Sequence, residues 1–125
     1  MDREQILQQL NWRYAVKRFD PNQKVSEKDW QVLEESLRLA PSSYGLQPWK
    51  FIIIQNQELK TKLRGVSKNQ SQVEDCSHLV VFATRSDMNE TYVQKHINHI
   101  SKVRAIPVET LDRYRDGMIG DLVNG

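Results

Sequence analysis

The stretch Ala40-Pro41-Ser42-Ser43-Tyr44-Gly45-Leu46-Gln47-Pro48-Trp49 runs directly into Lys50-Phe51-Ile52-Ile53-Ile54, and this junction decides how the chain is read. Two prolines bracket hydroxyls, a glycine and an amide. The apolar, partly β-branched run that follows has the composition of a strand covered on both faces. Small polar residues let a ligand approach the backbone, and the prolines limit the loop's own freedom. A plain connection between a helix and a strand has the same composition, so the use of the loop stays open at this point.

Working outward, Ser26-Glu27-Lys28-Asp29 predicts a capping box with aspartate in place of glutamate. Trp30, Leu33, Leu37 and Ala40 then recur at helical spacing until Pro41 stops the helix. Further upstream, Asp2 is a candidate N-cap for a first helix with Ile6, Leu7 and Leu10 on one face. Downstream, helix resumes after Asn56, and His78-Leu79-Val80-Val81-Phe82-Ala83-Thr84 forms a second apolar run like the first. Two central strands in one sheet between helices are expected. Beyond Asn89, Tyr92, Val93, Ile97 and Ile100 form a helical stripe. Pro107 fits the first turn of a last helix carrying Leu111, Tyr114 and Met118.

The 125 residues have the size of one domain. Eighteen basic and 16 acidic side chains are spread along the chain for a net charge of +2, which leaves no footprint for nucleic acid or an anionic membrane. No apolar run is long enough to span a bilayer, and Met1-Asp2-Arg3-Glu4-Gln5 lacks the order of a signal peptide, so a cytoplasmic protein is expected. The single cysteine, Cys76, suits a reducing compartment. Glu74 and Asp75 beside it disfavour a thiolate, so it reads as a small buried residue.

Arg13 and Lys17 are four positions apart, with Arg18 adjacent, and on a helical turn they would point the same way. A guanidinium fork and a mobile ammonium suit a phosphorylated cofactor, and a solvated basic face paired with Asp20 or Asp2 has the same pattern. Asn69-Gln70-Ser71-Gln72 offers amide donors and acceptors fit for the edge of a heterocycle, or a turn open to water. His96 and His99 lie three apart without further ligands at metal spacing, and no metal is expected. His78 reads as a hydrogen-bonded residue and not as a general base. Ser42 and Ser43 lack a nucleophile-elbow context, and no dinucleotide-binding or phosphate-loop glycine motif occurs.

Taken in order, Arg13-Tyr14-Ala15-Val16-Lys17-Arg18-Phe19-Asp20, Ala40-Pro41-Ser42-Ser43 through Gln47-Pro48-Trp49, Asn69-Gln70-Ser71-Gln72, and Asp75-Cys76-Ser77-His78 leading into Val80-Val81-Phe82 resemble the flavin-dependent nitroreductase family. The chain closely resembles the branch that reduces nitroaromatics and quinones with NADH or NADPH. The resemblance implies an α+β, three-layer fold with a central, mainly antiparallel sheet flanked by helices. It also implies an FMN-dependent oxidoreductase that passes hydride from NAD(P)H through flavin N5 to its acceptor in ping-pong fashion.

By the same resemblance, Arg13, Tyr14, Ala15 and Lys17 line FMN. The arginine lies near the phosphate, and the lysine near the ribityl chain and the N1/O2 side of the ring, where its charge acts electrostatically. Pro41, Ser42, Ser43 and Gly45 match the loop that reaches the flavin of the partner subunit in a homodimer. Asn69 and Gln72 match positions that hydrogen-bond the pyrimidine edge. Ala15 stands where many relatives have serine, and Gly45 where they have asparagine.

Relatives continue past the point matching Gly125, so residues 1–125 read as the N-terminal portion of a nitroreductase-like domain, truncated at its C-terminus. The alternative reading is a non-catalytic, truncated product of the same fold that self-associates and binds flavin weakly or not at all.

Overall fold

The structure is a computed structural model that describes residues 2–124. Its elements are α1 (Arg3–Trp12), α2 (Glu27–Arg38), β1 (Trp49–Ile54), α3 (Gln57–Val66), α4 (Ser71–Asp75), β2 (Leu79–Thr84), α5 (Glu90–Arg104) and α6 (Asp112–Leu122). Turns of 3-10 helix lie at Ser43–Gly45 and Val108–Leu111. Local chemistry starts these helices. Asp2 accepts from the Gln5 N–H at 2.8 Å while the Gln5 side chain takes the Asp2 N–H, a full capping box. Ser26 accepts from the Asp29 N–H at 3.1 Å and donates to the Asp29 carboxylate at 2.6 Å. Asn56 and Asn89 cap α3 and α5 in the same way. Helix α2 stops at Arg38, ahead of Pro41, because a proline disfavours helical backbone in the residue before it.

β1 and β2 form a two-stranded sheet. The Arg85 N–H donates to the Pro48 carbonyl at 2.8 Å beyond one end, and Gln55 meets His78 beyond the other, so the strands run antiparallel. Phe51 and Phe82 meet edge to face with ring centres 5.1 Å apart. The expectation that both strands are covered on both faces is corrected. Ile52 is 44% exposed and Phe82 64%. A pair of strands offers each apolar side chain too few neighbours to bury both faces.

The chain divides into two compact units. One takes residues up to Leu33 together with Ile53–Val81, and the other takes Glu34–Ile52 and the residues from Phe82 onward. In the first, Trp30 is buried and stacks flat on His78, with centroids 3.8 Å apart and planes 3° from parallel. Lys60 is 1% exposed, and its ammonium donates to the Cys76 carbonyl at 2.5 Å. The α1 face of Ile6, Leu7 and Leu10 is exposed. In the second, Leu46, Val93, Ile97, Leu111 and Met118 form the core. Ile97 and Met118 are fully enclosed, at the helical spacings read from sequence.

Two more expectations are corrected in the first unit. Residues 13–20 are not helical: α1 ends at Trp12 and Arg13 has extended backbone (φ −60°, ψ 136°), so Arg13 and Lys17 are not stacked one turn apart. Three like charges within six positions repel on a helix, and Tyr14, Val16 and Phe19 are indifferent helix formers. Cys76 is half-buried and not buried, its thiol donating to the Val73 carbonyl at 3.3 Å.

Candidate functional site

The first unit builds an amide corner where α3 ends. Lys68 and Asn69 both have left-handed backbone (φ 53° and 52°), which asparagine tolerates better than most residues. The Ser67 and Asn69 N–H groups both donate to the Arg64 carbonyl, at 3.0 and 3.2 Å. The Arg64 side chain closes the same turn, Nε donating to Asn69 Oδ1 at 2.9 Å. A guanidinium only donates, so the atom facing it is the amide oxygen, and the two Nδ2 hydrogens point elsewhere.

Arg64 is itself held. Its Nη1 donates to Glu74 Oε2 at 2.8 Å, and Thr61 donates to Glu74 Oε1 at 2.8 Å. These bonds, the arginine's first, keep the Glu74 carboxyl below the ordinary glutamate value. Gln57 donates to the Glu74 carbonyl at 3.1 Å, one turn of α3 before Lys60 reaches Cys76. Four side chains of α3 thus grip residues 69–76. The five-residue α4, too short to persist alone, is held by that grip. Gln72 rides on α4, half-buried, and its side-chain amide has no hydrogen bond among the described residues.

The remaining expected residues of this unit, Arg13, Tyr14, Ala15 and Lys17, lie on an exposed, extended segment. Arg13 and Lys17 have no ion-pair partner among the described residues. Among the described residues no hydrogen bond links them to Asn69 or Gln72. The chain continues into a groove of about 530 Å³ lined by Arg18, Phe19, Lys24, Trp30 and His78. His78 accepts from the Gln55 amide at Nε2, which leaves its proton on Nδ1, 2.9 Å from Ser77 Oγ.

The second unit holds the opening loop. Ser42 Oγ accepts from the Gln47 N–H at 2.7 Å, and the Gln47 amide donates to the Arg38 carbonyl at 3.0 Å, so the loop is tied to itself and to the end of α2. Leu46, 6% exposed, is its anchor in the core, and its carbonyl accepts from the Tyr92 hydroxyl at 3.1 Å. Tyr44 has left-handed backbone (φ 57°), a strained state for an aromatic residue. Its carbonyl accepts from both His96 Nε2 and the Tyr114 hydroxyl at 3.1 Å, and its own hydroxyl donates to Asp121. That last bond holds the phenol above its ordinary pKa. A carbonyl only accepts, so the ring nitrogen facing it carries a hydrogen, which places a proton on His96 Nε2. Pro41, Ser43 and Gly45 are exposed, while Ser42 is half-exposed and its hydroxyl hydrogen meets no acceptor among the described residues.

Among the described residues no group of three His, Cys, Asp or Glu could hold a metal ion, and no helix is long and apolar enough to cross a membrane. The sequence profile of the nitroreductase family matches residues 10–119. The chain belongs to the nitroreductase family. It is 39% identical over 114 residues to a Staphylococcus saprophyticus protein and 40% identical over 112 to one from Bacillus subtilis, each named putative NAD(P)H nitroreductase. The alignments take in 89% and 88% of this chain but 52% and 51% of those proteins, so the chain spans about half the length of the curated relatives it matches.

Among solved structures, a nitroreductase-like protein from Streptococcus mutans shares the fold at a TM-score of 0.76 and 20% identity, over 92% of this chain and 55% of that one. A putative nitroreductase from Exiguobacterium sibiricum, solved in complex with FMN, is similar at a TM-score of 0.66 and 26% identity, over 100% of this chain and 58% of the other. The α+β nitroreductase-like fold expected from the motifs is the one observed. Arg64 and Lys60 escaped the reading of the sequence, and Glu74 was read there as a neighbour of Cys76 and not as the partner of Arg64. The signal for Arg64 and Lys60 was a run of polar α3 positions at helical spacing, which a solvent-facing helix would share.

Proposed function

We propose that the whole protein is an FMN-dependent oxidoreductase that takes hydride from NAD(P)H and delivers it in ping-pong order to nitroaromatics, quinones or similar acceptors. It would work in the cytoplasm as a homodimer with flavin at the subunit interface, and residues 1–125 would form the N-terminal portion of one nitroreductase-like domain. The observation that carries this reading is the family match over residues 10–119, which takes in every segment that resembles a flavin-binding one. The names of the relatives and the FMN in the Exiguobacterium neighbour support it.

The residues present fit the cofactor chemically. Arg13 and Lys17 are exposed cations free of ion pairs among the described residues, as a phosphate and an anionic ring would require. Asn69 presents amide hydrogens, and Gln72 an amide with no hydrogen-bond partner among the described residues. Tyr14 and Ala15 would line the cofactor beside them, and Pro41, Ser42, Ser43 and Gly45 would approach the flavin of the partner. Bound FMN would supply the two-electron relay between NAD(P)H and the acceptor. Lys17 would favour negative charge on the N1/O2 side of the ring, and the amides would orient that ring.

The test is the visible absorbance spectrum of the purified protein. Two flavin bands that bleach with NAD(P)H are expected, and a protein that stays colourless with added FMN would overturn the proposal. In the same assay Lys17→Met should slow flavin reduction; an unchanged single-turnover rate at full occupancy would remove Lys17 from the mechanism.

A further inference from the structure

We infer that Arg64 is a positioning residue for flavin recognition: it sets the direction of the Asn69 amide, and Glu74 sets Arg64. The inference rests on the FMN reading above and extends it to side chains that would not touch the cofactor. Asn69 stands just past the end of α3, where its backbone is in the left-handed region, and its side chain would otherwise rotate freely in water. Arg64 removes that freedom at two points. Its carbonyl holds the Asn69 N–H at 3.2 Å and its Nε holds Oδ1 at 2.9 Å.

Because the guanidinium cannot accept, it dictates which end of the amide faces outward. The exposed end is the NH₂ group, a pure donor, and its complement on a pyrimidine-like ring edge is a carbonyl oxygen. Without Arg64 the amide would present donor and acceptor in turn, and half of its orientations would set its oxygen against the ligand's oxygen. Glu74 prevents Arg64 from swinging away, with a carboxylate bond at 2.8 Å to Nη1 and its second oxygen occupied by Thr61. The chain Thr61–Glu74–Arg64–Asn69 thus runs from the middle of α3 and from α4 to the site residue through side-chain bonds alone.

The test is a double-mutant cycle on FMN affinity, read by quenching of flavin fluorescence in titrations of the whole protein. Arg64→Met is expected to weaken FMN about tenfold, the equivalent of one lost oriented hydrogen bond. In an Asn69→Gly background, which keeps the left-handed backbone unstrained, the same Arg64→Met change is expected to have no further effect on affinity. An equal loss in both backgrounds would overturn the inference, since Arg64 would then act on overall structure or on the ligand directly. Unchanged affinity in Arg64→Met would overturn it as well. Arg64→Lys serves where the methionine variant folds poorly. It keeps the charge beside Glu74, lacks the fork that holds both partners, and should show the same non-additivity. If the unmutated protein fails to bind FMN, the flavin reading falls and this inference with it, whereas normal binding with an additive cycle refutes the inference alone.

Discussion

Shortening Leu46 to alanine tests the claim that the loop is held by its anchor and not only by its prolines. Leu46 is 6% exposed among Val93, Ile97, Leu111 and Met118, so Leu46→Ala withdraws three carbons from a packed environment. At about 0.8 kcal/mol for each buried methylene the transfer loss is roughly 2.4 kcal/mol. The cavity left among helical neighbours that cannot fully close raises the cost to about 2.5–4 kcal/mol. Against a typical domain stability of roughly 5–15 kcal/mol this is a large fraction. The hydrogen bond from the Tyr92 hydroxyl goes to the Leu46 backbone carbonyl and is available to alanine, so the loss isolates packing.

Urea unfolding followed by far-ultraviolet circular dichroism reads the effect, with a lowered midpoint at unchanged slope expected. Leu46→Met, which keeps volume, should cost less than about 1.5 kcal/mol. A cost below about 1 kcal/mol for Leu46→Ala would refute the placement of this side chain in the core.

Two further perturbations follow from the hydrogen bonds. The Glu74 carboxyl is held below its ordinary value by Arg64 and Thr61, so the stability it contributes is present above the ordinary glutamate pKa and is lost as pH falls through the lowered folded value. Glu74→Gln should flatten the acid limb of a stability-versus-pH curve in that window, and an unchanged acid limb would show that the bond to Arg64 is not maintained in solution. Ser42→Ala removes the acceptor for the Gln47 N–H and should cost about 1 kcal/mol in the same unfolding assay, while a neutral result would mean that water serves the Gln47 N–H equally well.

Both strands were legible from composition, because residues 51–54 and 79–83 are apolar runs bounded by polar residues. The caps at Asp2 and Ser26 were legible too, since a cap involves residues three apart. Side-chain cover was not legible. Whether Ile52 or Phe82 is exposed depends on what lies over the sheet, and the strand's own sequence does not carry that information. Residues 13–20 misled because a spacing of four suits a helix and an extended strap equally when no apolar stripe accompanies it. Lys60 reads as solvent-facing by residue type, and its burial depends on a carbonyl supplied by Cys76, 16 positions away.

The candidate site was legible only through the order of four weak motifs along the chain. Its supporting layer, Arg64 and Glu74 on either side of Asn69, requires the short α4 to exist before the side chains can meet, and a helix of one turn leaves no periodicity to read.

The antiparallel pairing of β1 with β2 has a consequence for synthesis on the ribosome. Gln55 and His78, which meet just beyond the paired strands, are 23 residues apart. At about 5–20 residues per second, the apolar Phe51-Ile52-Ile53-Ile54 leaves the exit tunnel roughly 1.5 to 6 seconds before its whole partner strand is available. During that interval the nascent segment is a bare, sticky edge, and translation speed across residues 55–84 sets how long chaperones have to shield it.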